Sequence, residues 1–251
     1  MKLMTLHYFR SDRAIKAAVR AAVLASGVPT TPAAASALAG QIFPTMLDQR
    51  AMIAARETNM IREQFRELEI ANRRFYPVTA AERATRVAAG LGGEGSPVAV
   101  VHLDPETQRK SRDTVLPYLD PEDPAVVRRF IDDLAASASR HVKSASRDLV
   151  LDTARLNRAG WARQLTGRES CTFCALLVSR GAVYTEKTVN FQTHNHCDCT
   201  ATLVLQPGDD YEGKDAAVRL NGLYRMAEGD LSRFGELIHE EVGEDYAPLA
   251  A

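Results

Sequence analysis

All four cysteines of this 251-residue chain fall within 29 residues, as Cys171 and Cys174 in CTFC and as Cys197 and Cys199 in HNHCDC, where His194 and His196 also sit. Chance placement would almost never gather them so. No other feature restricts the fold as much, because two separated turns have to return to one point in space. A Cys-x-x-Cys turn lets two thiolates converge on one ion at about 2.3 Å, and a second pair of soft donors completes a tetrahedron. Zinc is the expected cofactor. Cys171 and Cys174 are the surest pair, with Ser170 or Thr172 placed to supply supporting hydrogen bonds. In the second half His194 and Cys197 repeat the i, i+3 spacing, whereas Cys197 and Cys199 would share one face of a strand leading into an apolar run. The expected ligands are Cys171, Cys174, His194 and one of Cys197 and Cys199, with His196 in reserve. No HExxH or HxE motif accompanies them and no evident position is left for water, so the site reads as structural, with no catalytic residue.

Two other uses of the cysteines are weaker. Disulfides suit a small secreted scaffold better than a chain of this size with four cysteines and no signal-peptide pattern. A redox Cys-x-x-Cys belongs where a strand gives way to a helix in a βαβ unit, and no such transition is evident at Cys171.

The rest of the chain reads as helical. Ser11 is placed to cap a helix ending near Ala25, with Ile15, Val19, Val23 and Leu24 at helical spacing and Ser26 and Gly27 behind it. Thr31 and Pro32 restart a helix that Pro44 should interrupt or kink. From Thr45 to about Arg74 there is neither Gly nor Pro. Ile53, Met60, Ile61 and Leu68 mark one face of a rod about 45 Å long, with Glu57, Arg62, Glu63, Arg66, Glu67 and Arg73 as polar flanks. Such a rod must lie against the rest of the chain or a neighbouring subunit. Pro77 stops it, and Thr79 with Glu82 forms a capping box for a short helix ending near Gly90. A Gly-rich hinge over 90–97, a strand-like VAVVHL run and a Pro-punctuated connection lead to a helix from Pro124 to about Asn157, with Val127, Phe130, Ile131, Leu134, Leu149 and Val150 as its apolar positions. After Pro207 helical patterning resumes between Gly213, Gly222, Gly229 and Gly235 and ends in an acidic stretch that reads as a loosely packed arm.

The expected fold class is therefore mainly α with a small α+β zinc-binding module towards the C-terminus and long N-terminal helices. The organisation expected is a helical arm over 1–90, a strand plus helical segment over 91–157, the zinc-binding module over 158–206 and an acidic helical tail over 207–251. No apolar run approaches the roughly 18 residues of a bilayer span, so no membrane role is expected. Residues 1–205 hold 27 Lys+Arg against 21 Asp+Glu, and residues 206–251 hold 4 against 11, so a mildly basic body carries an acidic tail. That excess is too dilute to mark a dedicated nucleic-acid binder. The 25 Arg against 6 Lys leave a phosphate contact as an option only.

The run GRESCTFCALLVSRGAVY followed by FQTHNHCDCTATLV resembles the C-terminal signature of tailed-phage head morphogenesis proteins of the MuF-like minor capsid type, especially those of phages infecting actinobacteria. It carries a CxFC around Phe173, an RG turn with a tyrosine (Arg180, Gly181, Tyr184) and an HxxCxC ending at His194, Cys197 and Cys199, all within about residues 158–206. The resemblance implies a virion protein present in few copies inside the head near the portal, with the portal and major capsid proteins as partners. Contact with packaged DNA and self-association through the long helices are further options, and the host cytoplasm is the place of assembly.

Two enzymatic readings compete. A capsid maturation protease encoded at the same gene position would need an activated serine, and Ser96, His102 and Asp104 are available; GEGSP, however, is not a GxSxG nucleophile elbow. A nuclease would need a hard cation held by carboxylates near His194 or His196, where Asp198 is the one acidic neighbour. Thiolate-rich ligation points away from it.

Overall fold

The structure, a computed structural model, describes residues 3–67, 123–165, 171–185 and 199–242. Three long helices form its base: α1 (Leu3–Ser26), α2 (Pro32–Glu67) and α3 (Pro124–Asn157). They enclose one apolar core in which Ile15, Val19 and Val23 of α1 meet Leu38, Ile42, Met46 and Ile53 of α2 and Phe130, Leu134 and Val142 of α3. The described part of the long rod expected from the sequence, 45–67, thus lies against its own chain.

Local signals explain most of the boundaries. Thr31 Oγ1 accepts the Ala34 N–H at 3.2 Å ahead of Pro32, and Asp123 Oδ1 accepts the Ala125 N–H at 2.7 Å ahead of Pro124. Helix α3 ends at Asn157 with Arg158 in the left-handed region (φ 52°). Three expectations are corrected. Ser11 does not cap α1, which begins eight residues earlier; its side chain is buried inside the helix, and Leu24 is exposed. Of the two outcomes expected at Pro44, the interruption is the one corrected: helix α2 continues through it, because Leu38, Ile42 and Met46 on either side are locked into the core and tertiary packing outweighs the lost hydrogen bond. Glu57, expected on a polar flank, is buried.

A two-stranded antiparallel sheet lies on the far part of this bundle. Strand β1 (Gly160–Leu165) pairs with β2 (Cys199–Val204), with Arg163 opposite Ala201 and Leu165 opposite Cys199. Alternation divides β2 into two uses. Thr200 reaches Tyr8 of α1 (2.8 Å) and Ser146 of α3 (3.0 Å), whereas Cys199 belongs to the opposite face. Carbonyls along the outer edge of β2 are taken up by helical side chains: Arg147 Nε donates to Cys199 O at 2.9 Å and Gln64 Nε2 to Leu203 O at 3.0 Å. An edge that could template further pairing is thereby covered. On the other side Trp161 N donates to Tyr184 O at 3.0 Å, and the two rings stack with centroids 4.5 Å apart.

Helix α4 (Thr172–Ser179) follows β1, and α5 (Lys214–Met226) and α6 (Leu231–Val242) pack on it through Ala175, Val178, Leu220, Leu223, Phe234 and Ile238. The acidic stretch is therefore not a loose arm as far as Val242; its apolar face is buried and its acidic residues lie outward. Gly222 and Gly235, read as breaks, lie inside helices. Gly235 has a packing reason, since a Cβ there would meet Thr172 Oγ1 at 3.2 Å. Gly213 opens α5 at φ 98°, a conformation that disfavours any side chain. The capping box of Thr79 and Glu82 with its short helix to near Gly90, the Gly-rich hinge and the VAVVHL run lie outside the described residues. Among the described residues no helix is long and apolar enough to cross a membrane.

Candidate metal centre

Three of the four cysteines meet between β2 and the start of α4. Cys171, in extended conformation (φ −83°, ψ 156°), is the N-cap of α4, and its Sγ accepts the Cys174 N–H at 3.2 Å. One turn of helix carries Cys174 to within 3.6 Å of Cys199 Sγ, which the start of β2 brings in from 25 residues away. All three are buried and pack around Leu165. A sulfur–sulfur separation of 3.6 Å is far outside the ~2.05 Å of a disulfide. It is close to the edge, about 3.8 Å, of a tetrahedron with bonds of about 2.3 Å to zinc. The N–H donated to Cys171 Sγ fixes the position of that sulfur.

The donor chemistry and this spacing fit one edge of a thiolate-zinc site. Among the described residues no group of three or more His, Cys, Asp or Glu is gathered closely enough to hold a metal. His194, His196, Cys197 and Asp198, and with them the rest of the expected ligand set, lie outside the described residues, as do Ser170 and the Ser96, His102 and Asp104 of the protease reading. Of the two cysteines that the sequence left open, Cys199 lies beside Cys174 and Cys197 is outside the described residues. Thr172, read as a source of supporting hydrogen bonds, instead faces Gly235, and the supporting bond comes from the Cys174 backbone.

A strand, β1, does precede Cys171, and α4 opens on it. The setting is still not a βαβ unit, because the sheet of the described residues is antiparallel.

Spacing in the sequence missed the charged groups around the cysteines. Arg163 is buried on β1 with Nη1 3.7 Å from Cys199 Sγ, and Arg147 is buried on α3 with Nε on Cys199 O. A retrospective signal exists for Arg163, which stands between Trp161 and Leu165 on an alternating strand whose burial is nearly continuous. For Arg147 there is none, because a helical arginine ordinarily faces water.

Behind β2 lies a second buried polar cluster. Tyr8 OH contacts Ser146 Oγ at 2.5 Å and Thr200 Oγ1 at 2.8 Å. Burial, reinforced by the nearby Glu57 charge, pushes the Tyr8 phenol up to about 12. Burial pushes the Glu57 carboxyl up to about 8, against a hydrogen bond with Ser146 that pulls the other way. Glu57 is therefore largely protonated at neutral pH. Lys143, also buried, pairs with Asp12 at 2.8 Å and lies 5.9 Å from the Tyr8 ring centroid. The strand that begins at Cys199 is thus tied to the bundle by the Arg147 guanidinium on the Cys199 carbonyl and by the Thr200 hydroxyl, which reaches both α1 and α3.

A family model described as VG15 protein matches residues 9–227 of the chain. A stretch of 59 residues is 41% identical to the "Gene 15 protein" of Mycobacterium phage L5, covering 22% of this chain and 20% of that protein. The aligned part spans about a fifth of that relative's length. No solved structure matches.

Proposed function

Because this chain belongs to the VG15 protein family, we propose that it is a tailed-phage minor capsid protein of the MuF-like head morphogenesis type, a non-enzymatic assembly part inside the head near the portal. The observation that carries the reading is the CxFC, RG-Tyr and HxxCxC signature of residues 158–206. The family match over residues 9–227 and the mycobacteriophage relative support a phage protein. Its partners on this reading are the portal and major capsid proteins, with contact to packaged DNA and self-association as secondary uses of an arginine-rich helical surface.

In the same reading Cys171, Cys174 and Cys199 hold zinc, and the fourth ligand comes from His194 or Cys197, with His196 in reserve. The metal would supply folding free energy to a small module whose two strands and short helix bury little apolar surface by themselves. The chain's own residues do the rest. Trp161 and Tyr184 fasten β1 to the loop after α4, Tyr184 OH donates to Leu177 O at 2.7 Å, and Asn221 holds Ser179 O from α5. The result is a rigid knob on a long helical bundle, a shape suited to adaptor work.

Co-expression of the chain with portal and major capsid proteins, followed by mass spectrometry of purified heads, tests the role. The chain is expected in portal-bearing heads at a few copies each, and heads that form normally without retaining it would contradict the reading. Cys171→Ser is expected to drop bound zinc from near one per chain to near zero and to shift the fluorescence of Trp161, the single tryptophan. Most of the helical circular-dichroism signal should survive, because α1–α3 share a core of their own. Unchanged zinc by elemental analysis would remove Cys171 from the ligand set.

A further inference from the structure

We propose that Arg163 is a positioning residue of the cysteine clasp, its buried guanidinium holding the Cys199 sulfur in place and offsetting the negative charge of a sulfur-rich ligand set. The inference rests on the zinc reading above and deepens it by selecting Cys199 and assigning a charge partner. Register puts the two residues together: Arg163 pairs with Ala201 and Leu165 with Cys199, so all four lie on one face of the sheet, the face on which Leu165 meets the cysteines. Arg163 is 1% exposed, and its Nη1 lies 3.7 Å from Cys199 Sγ.

Charge arithmetic gives the contact its purpose. Three thiolates on a divalent ion leave one net negative charge when the fourth ligand is neutral imidazole, and two when it is a fourth thiolate. Burying an uncompensated anion costs several kcal/mol, so a cation fixed against one of the sulfurs stabilises the loaded state over the empty one. Arginine suits the place better than lysine, because its guanidinium is weakly hydrated and offers several N–H donors in a rigid plane. Arg147 completes the arrangement from the other side. Its Nε on Cys199 O fixes the backbone from which the sulfur projects, so the two arginines hold the same residue by different atoms. Partners of metal ligands that act in this way are typically worth about 10–100-fold in metal affinity.

The test uses the full chain and zinc itself. Wild type, R163M, R163Q and R163K are purified, and zinc affinity is measured by competition with a chromophoric chelator, alongside the sulfur-to-metal charge-transfer band after substitution with cobalt(II). R163M is expected to bind zinc about 10–100-fold more weakly and to lose part of that band, while R163K, which keeps the charge, recovers much of both. If R163M does not fold, R163Q carries the comparison: it keeps hydrogen-bonding capacity without the charge, and a loss of at least about tenfold supports the proposal. Wild-type affinity in a folded R163M or R163Q overturns the role of Arg163 and leaves the clasp standing. A wild-type chain that binds neither zinc nor cobalt overturns the clasp and, with it, this assignment.

Discussion

Replacing Glu57 by Gln should stabilise the folded chain, by on the order of 3–5 kcal/mol at about pH 8.5 and by little near pH 5. The carboxyl is buried between α2, α1 and α3 and its pKa is raised from 4.5 to about 8, with desolvation as the main cause. A group raised in the folded state contributes stability that is complete below its unfolded value and is lost as pH rises through the folded value. The window here runs from about 4.5 to about 8. Gln keeps a partner for Ser146 and has no proton to lose. The difference between urea unfolding free energies of wild type and E57Q should therefore widen steadily across that window and level off above it. Tyr8 and Arg147, which share the cluster, and Glu212, whose charge also raises Glu57, are present in both proteins and cancel in the comparison. Parallel stability curves would show that Glu57 ionises without penalty and that the cluster is open to water.

Trp161→Ala should cost about 3–5 kcal/mol, as truncation of a fully buried tryptophan usually does. Trp161 is 1% exposed, stacks on Tyr184 and stands in the core shared by Ile61, Leu149, Val150 and Leu203. Its removal leaves a cavity at the joint between the bundle and the sheet. Trp161→Phe, which retains a ring against Tyr184, should recover a good part of the loss. Because the natural reporter is removed, unfolding is followed by far-ultraviolet circular dichroism. A loss below about 1 kcal/mol would mean that the joint closes around the smaller side chain and that the sheet is only loosely docked.

Helix α3 was legible to the residue, because Pro124 marks its start and the apolar positions Phe130, Ile131, Leu134, Leu149 and Val150 hold helical spacing throughout. The start of α2 was legible from Thr31 and Pro32 for the same kind of reason. Helix α1 was cut short because a serine near a helix start looks like a cap, and only its burial shows Ser11 to be interior. The acidic tail misled because net charge was read in place of periodicity: Leu220, Leu223, Phe234 and Ile238 already trace the faces that dock on α4. Strand β1 carries too short and mixed a pattern, GWARQL, to be recognised before its partner is known.

At the cysteines, sequence spacing was enough to bring Cys171 and Cys174 together and to name Cys199 as one of two alternatives. The approach of Cys199 to Cys174 depends on the pairing of β2 with β1, a long-range contact that no local pattern encodes. The buried arginines were hidden for a related reason. Charge on a side chain predicts exposure on average, and only a neighbouring group that needs the charge makes burial worthwhile.

The central claim is that sulfur donors from the α4 cap and the start of β2 close on one divalent ion. Elemental analysis of the purified wild-type chain, combined with titration of its thiols, tests it most directly. About one zinc per chain is expected, with the cysteines reduced and shielded from thiol reagents until a chelator is added. A metal-free chain in which Cys174 and Cys199 are joined as a disulfide would contradict it.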